Sequence, residues 1–587
     1  MKAILATDCG STTTKAVLIL RTDNEYRLAG SAQSPTTVEA PYEDVMVGVF
    51  NAFAEAEALT GRTLVEQDRL LRPCRDERGV DLYVSTSSAG GGLQMVVAGV
   101  VGSMSAESAA RAALGAGAIV TGVLSVDDGR EDYQRAAVLR EWKPDMVLLA
   151  GGTDAGTISH VVGMAEVIRS ADPKPRFGSN TKLPVIFAGN KDASEEVQRI
   201  LSPVCEVQVV DNLRPVLEEE NLSPTRDAIH DFFLEHVMAQ APGYENLMGL
   251  VDGDIMPTPA AVGFLVKALA KRRSQNIMSV DIGGATTDVF SVFQGIFNRS
   301  VSANLGMSYS AANVLEEAGH EKVLRWLPRS LSQGELEDKI MNKMIRPTVI
   351  PQTLEDLLLE QSLAREALRL SLDQHRELAV GLKGIQQNRT IGDTFLQSRT
   401  GATLVDMMSL DLLIASGGCL SHAPRRNQAM SMILDSFQLE GITQVAVDSV
   451  FMMPHLGVLA SLDREIALQV MEQDCLIPLG TVVSPRGRFR GNGWVLRVAF
   501  EGEGAPSPVE VCFGEIVLVP LAPGRSVRAE IRPRSPLDLG EGKGRPLRRV
   551  LTGGQVGLVL DGRGRPLPET WPTDQTSQWF QSMGVLP

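Results

Sequence analysis

Residues 8–15, Asp-Cys-Gly-Ser-Thr-Thr-Thr-Lys, combine an acidic residue, a glycine, hydroxyl side chains and a lysine. Apolar runs flank them at 3–6 and 16–20, so the segment is predicted to be the turn of a β-hairpin. Glycine lets backbone N–H groups approach a phosphate closely, while hydroxyl and ammonium groups add donors and positive charge. A plain turn is the competing interpretation of one such hairpin. The predicted phosphate ligands are Gly10, Ser11, Thr12, Thr13 and Lys15.

A second copy of this pattern lies at 279–293, where an apolar strand end is followed by an aspartate, glycines, a threonine pair and another apolar run. Two such hairpins far apart in one chain suggest two related half-domains that face each other across one nucleotide. The phosphate ligands predicted in this copy are Gly283, Gly284, Thr286 and Thr287.

Three aspartates of the hairpins are the predicted catalytic residues. Mg²⁺ keeps much of its hydration shell, so Asp8 and Asp281 are expected to hold it through water. Asp288 is the candidate for orienting an attacking water, in a reaction catalysed mostly by positioning and charge stabilisation. Asp288 is equally suited to closing the hairpin by a hydrogen bond to its own backbone.

A third glycine-containing turn follows the apolar run at 412–415. A buried strand that ends in a Gly-Gly turn offers bare backbone against which a nucleoside can lie. The residues predicted to contact adenosine are Ser416, Gly417 and Gly418. Farther along, 457–462 is rich in small residues and predicts a helix that packs tightly against another helix at a hinge.

In this order the motifs resemble those of the actin/Hsp70/sugar kinase superfamily: two phosphate loops (8–15 and 281–288), an adenosine loop (414–418) and a second connecting helix (457–462). Within it the chain resembles the MutL/GlmL family, accessory ATPases of glutamate mutase and related adenosylcobalamin enzymes. The resemblance covers roughly 1–465. The segments that narrow it to this family are 87–93, 149–154 and 280–288.

The resemblance implies an α/β fold: a two-lobed actin-like ATPase with ribonuclease H-like duplicated domains. Short apolar strands alternate with helices over 93–215, including a predicted helix over 132–142 and a predicted strand over 146–150. This alternation predicts an inserted three-layer α/β domain with a parallel sheet. After 465, short strands separated by Gly and Pro turns predict a small C-terminal all-β module. The predicted domains are 1–92, 93–215, 216–270, 271–465 and 466–587.

The inserted domain and a basic segment of the tail are candidates for contact with partner molecules. The cobalamin modules of the mutases carry an Asp-x-His-x-x-Gly motif, and Ile158 stands where that aspartate should be, so the insert is expected to contact a partner protein instead. Residues 525–549 hold eight Lys/Arg against three Asp/Glu. A solvated loop is the simpler interpretation of this segment, and docking on an acidic partner is the alternative.

Composition narrows the class of protein. The net charge of −15 is spread over 587 residues, which argues against nucleic-acid binding. No apolar stretch reaches the ~20 residues that a membrane span needs, and no secretion signal is expected. Six scattered cysteines without a Cys-x-x-Cys pair fit reduced thiols, so a cytoplasmic protein is predicted.

The function implied by the resemblance is ATP-dependent reactivation of an adenosylcobalamin-dependent mutase, glutamate mutase or a related aminomutase. ATP hydrolysis with Mg²⁺ would drive the release of damaged cobalamin. The protein is also expected to bind ADP and to form a homo-oligomer. One alternative is a small-molecule kinase of the same fold, which would need an acidic base in its cleft. A non-hydrolysing scaffold is the other, and paired Asp-x-Gly hairpins argue against it.

Overall fold

The computed structural model describes residues 1–10, 13–38, 41–88, 93–175, 182–217, 219–233, 241–328, 331–347, 349–381, 403–489 and 491–586. The chain divides into two compact units. The first comprises Met1–Leu265, Val380–Thr403 and Met452–Gln473, and the second comprises Val266–Ala379, Leu404–Phe451 and Asp474–Pro587. No helix of the described ranges has both the length and the apolar character needed to cross a membrane.

The strands are β1 (Ala3–Cys9), β2 (Thr13–Thr22), β3 (Glu25–Pro35), β4 (Val65–Glu66), β5 (Arg69–Leu70), β6 (Leu82–Ser87), β7 (Gln94–Gly99), β8 (Ile119–Ser125), β9 (Met146–Ala150), β10 (Leu183–Phe187), β11 (Cys205–Val209), β12 (Met256–Pro257), β13 (Ile277–Ile282), β14 (Thr287–Phe293), β15 (Ile296–Ser302), β16 (Leu412–Ser416), β17 (Gly441–Asp448), β18 (Leu476–Ser484), β19 (Trp494–Glu501), β20 (Val509–Cys512), β21 (Ile516–Val519), β22 (Ser526–Pro533), β23 (Leu547–Thr552) and β24 (Gly557–Asp561).

The α-helices are α1 (Val45–Thr60), α2 (Glu107–Gly115), α3 (Asp132–Trp142), α4 (Ser159–Ala171), α5 (Ser194–Leu201), α6 (Ser223–Phe232), α7 (Tyr244–Leu250), α8 (Thr258–Arg273), α9 (Ala311–Ala318), α10 (His320–Leu324), α11 (Gln333–Ile345), α12 (Leu354–Leu378), α13 (Gly418–Ser421), α14 (Arg426–Phe437), α15 (Met453–Leu462), α16 (Arg464–Val470) and α17 (Thr573–Ser582).

Each unit contains a sheet with the same internal topology. In the first unit the strand order is β12-β6-β1-β2-β3, and in the second β15-β14-β13-β16-β17 forms part of a larger sheet. In both, the first three strands along the chain are antiparallel neighbours and the next two add in parallel. The predicted duplicated, actin-like α/β fold is therefore confirmed.

The first unit also contains an entirely parallel sheet, with the order β11-β10-β9-β7-β8. Its central strands β7, β9 and β10 are nearly continuous apolar runs, such as Met146–Ala150, and are almost fully buried, as expected for strands covered on both faces. The predicted helix over 132–142 and the strand over 146–150 have the expected bounds. This sheet confirms the inserted three-layer α/β fold.

The C-terminal strands divide between two sheets. Four of them form an antiparallel sheet, in the order β20-β19-β22-β23, which confirms a small all-β element in the tail. The strands β18, β24 and β21 instead continue the large sheet beyond β17. Pairing with β18 covers an edge of β17 that would otherwise expose unpaired backbone groups. The domain boundaries drawn from the sequence stay predictions.

A buried ionic network ties the tail into the second unit. Arg365 and Arg563 each donate to the carboxylate of Asp435 at 2.7 Å, and Arg563 also donates to Asp561. Arg565 adds another contact to Asp561 and donates to the carbonyl of Leu439. Burial alone would raise the pKa of Asp561, but the two arginines beside it hold that pKa below its ordinary value.

In the first unit, α15 and the beginning of α8 cross at very short range. A Cβ atom added at Gly457 in α15 would lie 2.0 Å from the carbonyl oxygen of Ala261 in α8. Real Cβ atoms do not approach a carbonyl oxygen this closely, so only glycine fits the crossing. The tight packing expected for 457–462 is confirmed.

Replacing Gly457 by alanine tests this crossing. We expect Gly457→Ala to lower the free energy of unfolding by roughly 1–3 kcal/mol, because the added methyl group overpacks the contact. The helix α4 supplies a matched control, since a Cβ at Gly163 meets nothing within 4 Å. Gly163→Ala should be neutral or stabilising by up to about 1 kcal/mol. Urea unfolding measures both, and equal effects of the two variants would contradict the close crossing.

His375 provides a pH test of the second unit. Its ring nitrogens lie 2.8 Å from the hydroxyls of Ser300 and Ser291, and its pKa falls to about 3, first through burial and then through the charge of Arg376. Between about pH 3 and pH 6.5, His375 is therefore protonated in the unfolded chain and neutral in the folded chain. Stability is full above pH 6.5 and is lost towards pH 3, by about 1.4 kcal/mol per pH unit.

We expect His375→Gln to lower stability at pH 7 and to flatten the fall in the urea midpoint between pH 7 and pH 5. The exposed His160 supplies the control, since His160→Gln should leave that slope unchanged. A slope that His375→Gln does not alter would refute the buried neutral imidazole.

Candidate functional site

The first predicted phosphate loop is the turn between β1 and β2. The two strands are antiparallel, and Asp8 lies opposite Lys15 in their register. The N–H of Gly10 donates to the carbonyl of Thr13 at 3.1 Å, and a Cβ at Gly10 would lie 2.8 Å from that oxygen. The predicted hairpin is therefore confirmed. The predicted ligands Ser11 and Thr12 lie outside the described residues.

Asp8 is nearly buried, with 4% of its surface exposed. Its Oδ1 accepts hydrogen bonds from the hydroxyls of Thr86 at 2.8 Å and of Thr258 at 2.6 Å. Thr86 lies near the end of the parallel neighbour β6, and Thr258 is the first residue of α8. Neither threonine was among the residues predicted from the sequence. Thr258 is followed by Pro259, a helix-start signal that marks its position without revealing its partner.

A layer of buried polar groups surrounds the end of β1. The hydroxyl of Thr7 lies 2.8 Å from those of Tyr83 and Ser85, so these groups satisfy one another. Cys9 is adjacent to Asp8 and fully buried. Burial and then the charge of Asp8 raise the pKa of Cys9 to about 12, which keeps its thiol protonated and unsuited to nucleophilic chemistry.

The second hairpin, between β13 and β14, has the same turn. The N–H of Gly283 donates to the carbonyl of Thr286 at 2.8 Å, which repeats the bond between Gly10 and Thr13. The spacing Asp-x-Gly-x-x-Thr is also identical in the two copies. Asp281 lies opposite Asp288 in the strand register. Each unit thus presents an aspartate followed by the same tight glycine turn.

Asp288 forms an ion pair that the sequence did not reveal. Its Oδ1 accepts from Nε and Nη2 of Arg299 at 3.0 and 2.7 Å, and the arginine side chain is 1% exposed. Arg299 comes from β15, which pairs with β14. This pair supports a structural role for Asp288; its assignment as the residue that orients water stays a prediction.

The predicted adenosine loop follows β16, whose Ser416 lies beside Asp281 in the parallel register. Gly417 has φ +103°, and a Cβ there would lie 2.2 Å from the carbonyl oxygen of Ile282. Only glycine permits this approach of the loop to the second hairpin. Gly418 then begins the short helix α13.

A cavity of 550 Å³ lies within the second unit and is lined by both predicted loops. Gly283 and Gly284 form one part of its wall and Gly418 another. Lys343 and Glu360, an ion pair between α11 and α12, also line it, although neither was predicted. The volume lies within the range of about 300–1,000 Å³ typical of small-ligand sites.

Asp8 and Asp281 carry carboxylate oxygens, a ligand type that Mg²⁺ prefers. In the described ranges no group of three or more His, Cys, Asp or Glu residues is placed to hold a metal ion. Mg²⁺ is commonly bound by one or two carboxylates together with waters and substrate phosphates. Asp8 and Asp281, each followed by a tight glycine turn, are carboxylates that fit this mode of binding.

Comparison with known proteins settles the family. The family model described as MutL protein matches residues 4–475. The chain belongs to the MutL protein family. Protein MutL of Clostridium tetanomorphum is 29% identical over 502 residues, covering 81% of this chain and 99% of that protein. The resemblance drawn from the hairpin motifs is thus confirmed.

Two solved structures that match this chain show distant likeness to it. A nucleotide-free acetone carboxylase matches at 14% identity and a TM-score of 0.31, covering 87% of this chain and 80% of that one. Component A of the (R)-2-hydroxyglutaryl-CoA dehydratase of Acidaminococcus fermentans matches at 9% identity and a TM-score of 0.25, covering 80% and 100%.

The ion pair of the second hairpin is open to a direct test. Arg299→Leu leaves a nearly buried carboxylate without its cation, so we expect the free energy of unfolding to fall by roughly 3–5 kcal/mol. Adding Asp288→Asn to that variant should recover part of the loss, because the uncompensated charge is removed. Arg497, half-exposed and paired with Glu510, is the control, and Arg497→Leu should change stability little. Equal losses at both positions in urea unfolding would contradict this assignment.

Proposed function

We propose that this MutL protein is an ATP-hydrolysing accessory protein that reactivates an adenosylcobalamin-dependent mutase by driving the release of damaged cobalamin. One observation carries the ATPase part: the same Asp-x-Gly-x-x-Thr turn, with the same internal hydrogen bond, occurs once in each half of a duplicated fold. Glycine turns of this kind place backbone N–H groups where they can bind phosphate.

Within this proposal, the two hairpins bind the phosphates of ATP and the second unit binds the nucleoside. Gly10, Thr13 and Lys15 act in the first hairpin, with Gly283, Gly284, Thr286 and Thr287 as their counterparts in the second. The 550 Å³ cavity beside Gly418 supports nucleoside binding, since Lys343 and Glu360 add charged groups to a wall that also contains apolar residues such as Ile350. Bound Mg²⁺ would neutralise phosphate charge, with Asp8 and Asp281 accepting hydrogen bonds from its waters.

The client enzyme is inferred from membership of the MutL family. The family resemblance implies glutamate mutase or a related aminomutase, and nucleotide-linked closure of the fold would change affinity for that client. All six cysteines are free thiols, which supports the proposed cytoplasmic location. Assembly into a homo-oligomer remains part of the proposal.

Phosphate release from the purified protein with Mg·ATP tests the ATPase assignment. We expect Asp8→Asn and Asp281→Asn each to reduce turnover by at least about 100-fold, because positioned charge supplies most of the catalysis. Asp172 is half-exposed and pairs with Lys174 at the surface, so Asp172→Asn should keep wild-type turnover. Unchanged turnover in either hairpin variant would refute the magnesium assignment.

The client assignment needs a coupled assay. A cobalamin mutase inactivated by turnover is incubated with the protein and Mg·ATP, while cobalamin release and recovered mutase activity are followed. We expect both to require ATP and to disappear in Asp281→Asn. ATP hydrolysis that no mutase affects, but that is stimulated by a metabolite which becomes phosphorylated, would instead indicate a kinase.

A further inference from the structure

Two threonine hydroxyls donate hydrogen bonds to Asp8, and both reach the same side of its carboxylate. Thr86 and Thr258 both donate to the same carboxylate oxygen, Oδ1. Two donors at one oxygen fix the plane of the carboxylate. Within the described part of the chain no side chain or backbone group donates to Oδ2, which leaves this oxygen available to a ligand.

The two hydroxyl groups that donate hydrogen bonds to Asp8 are uncharged. In the second hairpin, Asp288 takes the strand position that Lys15 has in the first, and its carboxylate is met by the buried cation of Arg299. The described hydrogen bonds to Asp8 come instead from neutral hydroxyls, although Lys15 lies opposite it in the strand register. A guanidinium on the carboxylate would compete with a metal ion, whereas hydroxyls hold the group in place without themselves neutralising its charge.

The position of Thr258 is fixed independently of Asp8. Thr258 begins α8, and one turn later Ala261 contacts Gly457 at the helix crossing described above. Thr86 is fixed by the parallel pairing of β6 with β1, in which it lies beside Asp8. Two rigid elements therefore supply the two donors.

We infer that Thr258 and Thr86 are positioning residues for Asp8: they fix Oδ1 and leave Oδ2 to accept hydrogen bonds from the waters of nucleotide-bound Mg²⁺. This inference rests on the proposed ATP site. It predicts that the threonine hydroxyls affect how strongly nucleotide binding depends on Mg²⁺, a property that a role in folding alone would not change.

The test is the Mg²⁺ concentration that gives half-maximal binding of a fluorescent ATP analogue to the full chain. Thr258→Val keeps the size of the side chain and removes the donor, so we expect this concentration to rise about tenfold, as befits one hydrogen bond to a charged group. Thr86→Val should shift it in the same direction. Thr258→Ser retains a hydroxyl and should restore the wild-type value.

Thr443 supplies the matched control. It is fully buried, and its hydroxyl donates to the carbonyl of Leu410 at 3.1 Å, in the second unit. Thr443→Val should lower the melting temperature without changing the Mg²⁺ dependence. If Thr258→Val does not fold, Thr86→Val and Thr258→Ser decide the question.

The outcomes separate the inference from the proposed function. No binding of the analogue by the wild-type chain at any Mg²⁺ concentration would overturn the proposed ATP site, and the inference with it. Wild-type Mg²⁺-dependent binding, together with an unchanged Mg²⁺ requirement in both valine variants, would overturn the inference alone. A raised requirement that Thr258→Ser does not restore would also overturn it, because the hydroxyl would then not be the group responsible.

Discussion

A carboxylate that leaves water has to be satisfied by the protein, and the structure meets this requirement differently in the first hairpin, in the second hairpin and in the C-terminal region. Three solutions appear. Asp8 is held by two neutral hydroxyls, Asp288 is neutralised by a buried arginine, and Asp435 and Asp561 share three arginines beneath the C-terminal strands. The first leaves the carboxylate negatively charged, while the other two pair the charge with arginines that join separate elements.

This difference distinguishes the two halves of a duplicated fold. The sheets share one topology and the turns share one hydrogen bond, from Gly10 to Thr13 and from Gly283 to Thr286. Their surroundings differ. In the first hairpin Lys15 lies opposite Asp8, whereas in the second hairpin another aspartate, Asp288, lies opposite Asp281. Like charges directly opposite each other destabilise an antiparallel pair, and Arg299 offsets that cost.

The C-terminal region also has to pair its buried charges, and these pairs link strands to helices. Arg563 and Asp561 lie at the end of β24, and their network reaches Asp435 in α14 and Arg365 in α12. Among the described ion pairs, removing Asp435 would leave Arg365 buried without a carboxylate, and removing Asp561 would do the same to Arg565. The network therefore ties the C-terminal strands to the helices of the second unit, and with them the extension of its sheet beyond β17.

The sequence by itself determined the local features: both hairpins, the Gly-Gly turn after β16, the helix over 132–142 and the parallel insert. Each follows from residue spacing, turn chemistry or strand length within a short window. The tertiary structure alone decided which distant groups meet. Thr86 and Thr258 are 78 and 250 residues from Asp8, and no local pattern records that separation. The assignment of β18, β21 and β24 to the large sheet likewise depends on which edge is open for pairing, a property of the assembled fold.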